Sequence, residues 1–153
     1  MELETLLANN TRAAIEGEIL PRYLQTCRWF GSKARTFRNL RVVEQSSISE
    51  DAEGAQLWFV EVNYLDAPAE TYVLPVEIAS GDAARAISQA APHAVIARFK
   101  GSEETILFDA IWDLKFRSRL FDTIVRHQTM KGRAGELVGV TAKAFEVDQS
   151  TNP

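Results

Sequence analysis

The run from Gln56 to Leu65 limits the fold more than any other stretch of this chain. It reads QLWFVEVNYL, and the large side chains of Trp58, Val60, Val62 and Tyr64 recur at every second position. Successive side chains of a β-strand point to opposite faces of the sheet, so this spacing predicts a strand with one buried face. The apolar residues near the start of its other face indicate some cover there too. The rest of the chain must therefore supply partner strands and a layer that packs on this face.

Two flanking segments are predicted to pair with this strand. One begins near Phe37 and runs toward Ile48, and the other spans Thr71–Ala79; both are rich in β-branched and apolar residues. The connections are short and polar, which predicts an antiparallel meander. Pro75 has no N–H to donate to a ladder, so it predicts an edge position or a bulge for the last of the three strands.

The N-terminal residues 3–29 are predicted to be helical, in one piece or two, because apolar side chains recur at helical spacing. A proline inside a helix costs roughly 3 kcal/mol but is tolerated in a first turn. We therefore expect a break near Leu20, a short second helix over Pro21–Trp29, and a helix end at Gly31.

The remaining segments alternate between helix and strand patterns. A helix over Ala83–Ala90 precedes a hairpin whose strands are Ala94–Phe99 and Thr105–Ile111, and an amphipathic helix over Asp113–Met130 precedes a strand over Glu136–Phe145. The apolar face predicted for the last helix contains Leu114, Phe116, Leu120, Phe121, Ile124 and Val125. The order of elements, with antiparallel connections, predicts an α+β fold.

Charge and cysteine content exclude several classes of function. The formal net charge is −4 with 25% charged residues, so there is no basic field to favour nucleic acid or an anionic membrane. The single cysteine, Cys27, rules out an internal disulfide and is expected to pack as a small hydrophobe. The chain has no apolar run of membrane-spanning length and no secretion signal at its start, which predicts a cytoplasmic location.

Few residues suggest chemistry. Neither His93 nor His127 has a second ligand at the spacing that a helical metal site uses, and no phosphate-loop or nucleophile-elbow motif is present. Asp109 lies in an apolar strand, where burial costs several kcal/mol unless the carboxylate is bonded, so we expect an arginine or a backbone amide beside it. We predict no catalytic, cofactor-binding or metal-binding residue in this chain.

A short aromatic and basic stretch lies between the helical and the strand-rich parts of the chain. Residues 28–33 read RWFGSK, with two aromatic side chains between two cations. Aromatic pairs usually belong to the core, whereas cations on both flanks suit a junction with one buried and one wet face, or a docking surface. The residues that we assign to this signature and to possible docking are Arg28, Trp29, Phe30, Gly31, Lys33 and Arg35.

The stretch from Leu20 to Arg35 resembles the start of bacterial maltokinases, including the maltokinase portion associated with or fused to trehalose synthases, in which an RWFGxK signature opens an N-terminal cap. Two later stretches, 108–113 and 131–137, also resemble that family. The resemblance implies a cystatin-like curved antiparallel sheet packed on helices, with a C-terminal helix and strand extension. It also implies a cap over 1–100, and over 101–153 a hairpin, a helix and the start of the kinase N-lobe intermediate region, forming one compact unit with the cap.

The resemblance further implies a role in carbohydrate metabolism. In that family the cap precedes a kinase body that transfers the γ-phosphoryl group of ATP to maltose, and the maltose 1-phosphate serves α-glucan (glycogen) synthesis beside trehalose metabolism. ATP and Mg²⁺ would belong to the full-length kinase. This chain lacks the kinase catalytic-loop motif, since neither histidine begins an H-x-D sequence, and it stops about where the nucleotide-binding part is expected.

Two hypotheses of function follow. In the first, the chain is a non-catalytic cap, not an enzyme by itself, that braces the kinase N-lobe of the same polypeptide or docks trehalose synthase. In the second, it is a carbohydrate-binding module that uses exposed tryptophans such as Trp29, Trp58 or Trp112, because flat rings stack on sugar faces.

Overall fold

The N-terminal helix keeps a helical backbone but changes its hydrogen bonding midway. The computed structural model describes residues 10–48 and 54–142, in which α1 (Asn10–Ala14) leads through a π-helical turn (Ile15–Ile19) into α2 (Leu20–Thr26). The predicted helical residues 3–9 lie outside the described residues. The Leu20 N–H donates to the carbonyl of the residue five positions back, and Pro21 follows in the first turn of α2. The expected break is therefore a widened turn, which accommodates the missing proline N–H without ending the helix.

Five antiparallel strands form the sheet that this helix covers. They are β1 (Phe37–Ser47), β2 (Gln56–Tyr64), β3 (Glu70–Ser80), β4 (Val95–Phe99) and β5 (Thr105–Asp109). The order across the sheet is β1-β2-β3-β5-β4, which confirms the α+β class, the meander and the hairpin. The strands on either side of residue 100 lie in this one sheet.

The placement of Pro75 at an edge or a bulge is wrong, because β3 lies between β2 and β5 in the middle of the sheet. Pro75 is opposite Leu57 in the β2 ladder, which has no register shift. On the other side, β3 pairs with β5 only from Val76 to Ser80. Pro75 thus lies just before the doubly paired segment, where no β5 partner is present to lose a hydrogen bond.

The main core forms between β2 and the N-terminal helix. Trp58, Val60 and Val62 are fully buried and pack in one cluster with Leu20 and Leu24 of α2. This confirms the face predicted from the alternating pattern. A smaller cluster, below the opposite face of the sheet, contains Ile48, Ala55, Leu57, Ala110 and Phe116.

Two helix side chains complete the hydrogen bonding of an irregular point in β1. The ladder between β1 and β2 shifts register after Val42. There, the Val42 N–H donates to Glu16 Oε1 at 2.9 Å, and Arg12 Nη2 donates to the Val42 carbonyl at 2.9 Å. Arg12 and Glu16 also pair with each other at 3.0 Å. Backbone groups released by the shift are thus satisfied by the helix, which fixes the helix against the strand.

The C-terminal part contains α3 (Gly81–Ala90), α4 (Leu114–Val125) and a small hairpin of β6 (Thr129–Lys131) and β7 (Glu136–Val138). Short 3₁₀ turns, Pro92–Ala94 and Ala110–Trp112, lead into β4 and α4. The hairpin is held to β1 by Glu44, whose carboxylate accepts backbone N–H bonds from Arg133 and Ala134 at 2.7 and 2.6 Å. Burial acts to raise the pKa of Glu44, but backbone N–H groups, first that of Gln45 and then those of Ala134 and Arg133, outweigh it and lower the pKa.

The predicted end of the last helix at Met130 is wrong, because the helix ends five residues earlier. His127 has a left-handed backbone with φ of 51°, its N–H donates to the Ile124 carbonyl, and the Gln128 N–H donates to the Thr123 carbonyl. This pair of bonds is the Schellman arrangement that closes helices. It frees the next residues to form β6. The strand predicted over 136–145 is confirmed only over Glu136–Val138, and its last three residues lie outside the described residues.

The apolar face predicted for α4 is wrong in part. Phe116 is buried against the sheet, but Leu114, Phe121 and Ile124 are exposed. Thr123, which was not assigned to the apolar face, is 3% exposed and completes the buried side. The helix therefore presents apolar side chains on both of its faces, and a single apolar face could not be derived from them.

Candidate functional site

The signature turn between α2 and β1 begins at Cys27, whose backbone is extended and ends the helix. The predicted end at Gly31 is thus four residues late. Gly31 does not adopt a positive φ, and a Cβ atom there would meet no other atom within 4 Å. Phe30 is 1% exposed, with its ring 5.0 Å from that of Tyr72 and 5.6 Å from that of Phe37. The side chain of Phe30 is therefore part of the core.

Glu70, at the start of β3, holds the rest of the turn in place. Its carboxylate accepts hydrogen bonds from Ser32 at 2.7 Å, Tyr64 at 2.9 Å and Tyr72 at 2.6 Å, and it pairs with Arg35 at 2.9 Å. The bonds from Tyr72, Ser32 and Tyr64 lower the pKa of Glu70 to about 2. The Arg35 guanidinium also lies 5.3 Å from the centre of the Tyr64 ring. The Arg35 side chain is thus bound to the sheet through Glu70 and Tyr64.

The other signature side chains point outward. Arg28 and Lys33 are exposed and form no ion pair with another described residue, and Trp29 is 48% exposed. The signature thus divides into an internal half, which builds the core and the Glu70 cluster, and an external half. We call Arg28, Trp29 and Lys33 the signature surface.

A cleft opens beside this surface, between the end of α2 and the 3₁₀ turns that flank β4 and β5. Its volume is about 760 Å³. Trp29 and Trp112 both line it, and the His93 ring packs edge-on to Trp112, with centroids 4.2 Å apart. The other lining residues are Tyr23, Thr26, Cys27, Arg28, Pro92, Val95, Asp109 and Ile111. The cleft therefore brings the adjacent Arg28 and Trp29 together with His93 and Asp109, which come from distant parts of the sequence.

Asp109 is the buried polar group of this cleft. It is 3% exposed, and its carboxylate accepts hydrogen bonds from the Tyr23 hydroxyl at 3.1 Å and the Ile111 N–H at 3.0 Å. The backbone amide expected from the sequence is present, and no arginine pairs with Asp109 among the described residues. Burial raises the pKa of Asp109, and burial together with this carboxylate raises the pKa of the Tyr23 hydroxyl.

The Cys27 thiol, which lines the cleft, is a poor nucleophile. Burial raises the pKa of the Cys27 thiol, and the thiol donates to the Tyr23 carbonyl, so the nucleophilic thiolate is disfavoured.

His127 lies outside the cleft, in the cap of α4, with Nε2 3.2 Å from the Thr141 hydroxyl. No group of three or more His, Cys, Asp or Glu residues in the described ranges could hold a metal ion. Nor does any helix in those ranges have the length and apolarity to cross a bilayer.

Two contributors to the site had no clear sequence signal. Tyr23 and Glu70 contact the signature or the cleft across separations of 86 and 35 residues. Only the fold brings such positions together, and neither residue type marks a motif by itself.

Comparison with known protein families identifies this part of the chain. A family model described as "Maltokinase N-terminal cap domain" matches residues 23–113, which is more than half of the chain and includes the signature and all the cleft residues. No curated protein matches the chain significantly.

Proposed function

The chain belongs to the maltokinase N-terminal cap domain family, and on that premise we propose that it is a non-catalytic cap that packs against the N-lobe of a kinase portion. Phosphoryl transfer needs a nucleotide lysine, a catalytic-loop aspartate and magnesium-binding carboxylates, and we assign none of these roles to residues of this chain. ATP, Mg²⁺ and the formation of maltose 1-phosphate belong, in this proposal, to the kinase portion.

The division of the signature supports the choice of surface. Phe30, Ser32 and Arg35 are bound to the domain's own core and to Glu70. Arg28 and Lys33 form no ion pair with a described residue, and Trp29 is half exposed, with one ring contact to Tyr72. Trp29 and Arg28 have the composition of an interface anchor, since tryptophan and arginine contribute most at such sites, and Lys33 adds a positive charge that forms no ion pair with a described residue. We propose that the signature surface faces the kinase N-lobe, and that the meander has a cystatin-like curvature around α2.

The test is association between this chain and the kinase portion of a maltokinase that lacks its own cap, measured by calorimetry. Lys33→Glu reverses a charge at an exposed position, and we expect it to weaken association at least about tenfold. Leu65→Ala, at a side chain 68% exposed outside the signature, is the matched control and should leave association unchanged. Equal affinity for Lys33→Glu and the unsubstituted chain would rule out this surface.

Trehalose synthase is the other partner that this proposal allows for the same surface. It can be tested in the same titration, with trehalose synthase in place of the kinase portion and with the same two variants. Binding that Lys33→Glu weakens would assign the surface to trehalose synthase. The cytoplasmic location stays a prediction.

Carbohydrate binding is the second candidate function, and one observation favours it. Trp29 and Trp112 line the same cleft, each about half exposed. Trp58 is fully buried and donates its indole N–H to Gln56, so it has no part in this candidate. Titration of the chain with glucose and maltose tests this candidate.

A further inference from the structure

We propose that the cleft between Trp29 and Trp112 binds a neutral hexose unit, with the indole rings against the sugar faces and Asp109 accepting hydrogen bonds from sugar hydroxyls. This inference rests on the second candidate function and not on the role as a cap. In this proposal the ligand is a neutral sugar, Trp29 and Trp112 form the wall against which it stacks, and Asp109 forms the polar floor of the cleft.

The two tryptophans are held in position by neighbouring rings. Trp112 is 51% exposed, and the His93 ring packs against it nearly perpendicular, at 86°. Trp29 is 48% exposed, and its ring centre lies 5.9 Å from that of Tyr72. Large rings whose orientation is already fixed lose little conformational entropy on binding. They also offer flat apolar area, which suits the C–H faces of a sugar ring.

The floor of the cleft has unused hydrogen-bond capacity. An ionised carboxylate offers about four acceptor positions, and Asp109 uses two of them, for Tyr23 and Ile111. A buried acceptor of this kind gains from further donors, and the hydroxyl groups of a sugar supply them. Arg28 and His93 on the cleft wall add donors for ring or hydroxyl oxygens.

The same floor selects against anionic ligands. A phosphate in the cleft would bring negative charge next to the buried Asp109 carboxylate, which forms no ion pair with a described residue. Arg28 on the cleft wall is exposed, so solvent screens its charge and it offsets this repulsion only in part. The cleft volume of about 760 Å³ lies within the range of small-molecule sites, roughly 300–1,000 Å³. Both arguments favour a neutral, polyhydroxylated ligand of one or two sugar rings.

The experiment is a titration of the purified chain with glucose, maltose and inorganic phosphate, followed by calorimetry and by tryptophan fluorescence. We expect saturable binding of glucose or maltose, a change in tryptophan emission, and no binding of phosphate. Trp112→Ala should weaken sugar binding at least about tenfold, because a stacking platform is lost. Leu65→Ala, exposed and outside the cleft, should bind sugar as the unsubstituted chain does. Asp109→Asn replaces the carboxylate at the floor of the cleft by an amide of nearly the same shape, and it should also weaken sugar binding.

Three outcomes would overturn the proposal. They are the absence of saturation with either sugar, binding that Trp112→Ala leaves unchanged, and phosphate binding tighter than sugar binding. Arg28 and Trp29 belong to both the signature surface and the cleft, but Trp112 lies only in the cleft and Lys33 only in the signature surface. The Trp112→Ala and Lys33→Glu variants therefore test the two functions separately. Sugar binding lost in Trp112→Ala but kept in Lys33→Glu supports this site whatever happens to association with the kinase portion.

Discussion

Replacement of Phe30 by alanine tests whether half of the signature is structural. Phe30 is 1% exposed, lies in the main core cluster, and contacts the rings of Phe37 and Tyr72. Truncation of a buried phenylalanine removes its transfer free energy and leaves a cavity, which together cost about 3–5 kcal/mol. The two ring contacts each add about 0.5–1.5 kcal/mol to burial, which favours the upper half of that range.

Urea unfolding at neutral pH, followed by tryptophan fluorescence, measures this loss. With a slope of about 1–3 kcal/mol per molar urea for a small domain, a loss of about 4 kcal/mol lowers the midpoint by roughly 2 M. Single domains are stable by only about 5–15 kcal/mol, so the variant should be marginal but detectable.

Trp29→Ala is the matched control for Phe30→Ala, since it removes the neighbouring aromatic side chain from a half-exposed position. We expect it to cost about 1 kcal/mol or less, the loss of one partial ring contact. A loss under about 1 kcal/mol for Phe30→Ala, or equal losses for both variants, would refute the division of the signature into internal and external halves.

Three further predictions concern stability. Tyr23→Phe removes a hydrogen bond from buried Asp109 and should cost about 1–3 kcal/mol in urea unfolding. The pKa of Glu70 is held at about 2, below its ordinary value of 4.5, so its contribution is present above pH 4.5 and is lost as the pH falls toward 2. Glu70→Gln should therefore flatten the dependence of the urea midpoint on pH in that window, and an unchanged slope would contradict the Glu70 cluster. Gly139→Ala would place a Cβ atom against the Thr123 carbonyl oxygen of α4 and should cost about 1–3 kcal/mol, whereas Gly31→Ala, in open space, should stay within about 0.5 kcal/mol.

The sheet could be predicted because its signals are local. The alternation through Trp58 and Val62 has the period of a strand, and the short polar connections fix antiparallel pairing. The edge or bulge position predicted from Pro75 was wrong for an equally clear reason. A proline shows only that its own N–H donor is missing. Whether that donor is needed depends on the length of the β5 ladder, and the residues of β5 lie about 30 positions later in the chain.

The ends and faces of helices were harder to predict. The left-handed backbone of His127 ends α4, yet few residues other than glycine adopt this conformation, and a histidine in the sequence does not by itself predict it. The exposed Leu114 and the buried Thr123 depend on which side of α4 meets the sheet, a matter of tertiary packing.

The candidate site could be predicted in its parts but not as a whole. Arg28 and Trp29 were singled out from the sequence as part of the signature, whereas Asp109 was singled out from another segment because it lies in an apolar strand. Their convergence with Trp112 in one cleft depends on β5 pairing beside β3, a non-local arrangement that no pattern in the sequence specifies.

The central claim, that this chain is a cap and does not itself carry out phosphoryl transfer, is tested most directly by incubating the purified chain with ATP, Mg²⁺ and maltose and measuring maltose 1-phosphate. We expect no maltose 1-phosphate above the level of a protein-free control. Product that forms in proportion to the amount of chain, and that Trp112→Ala or Asp109→Asn reduces, would contradict it.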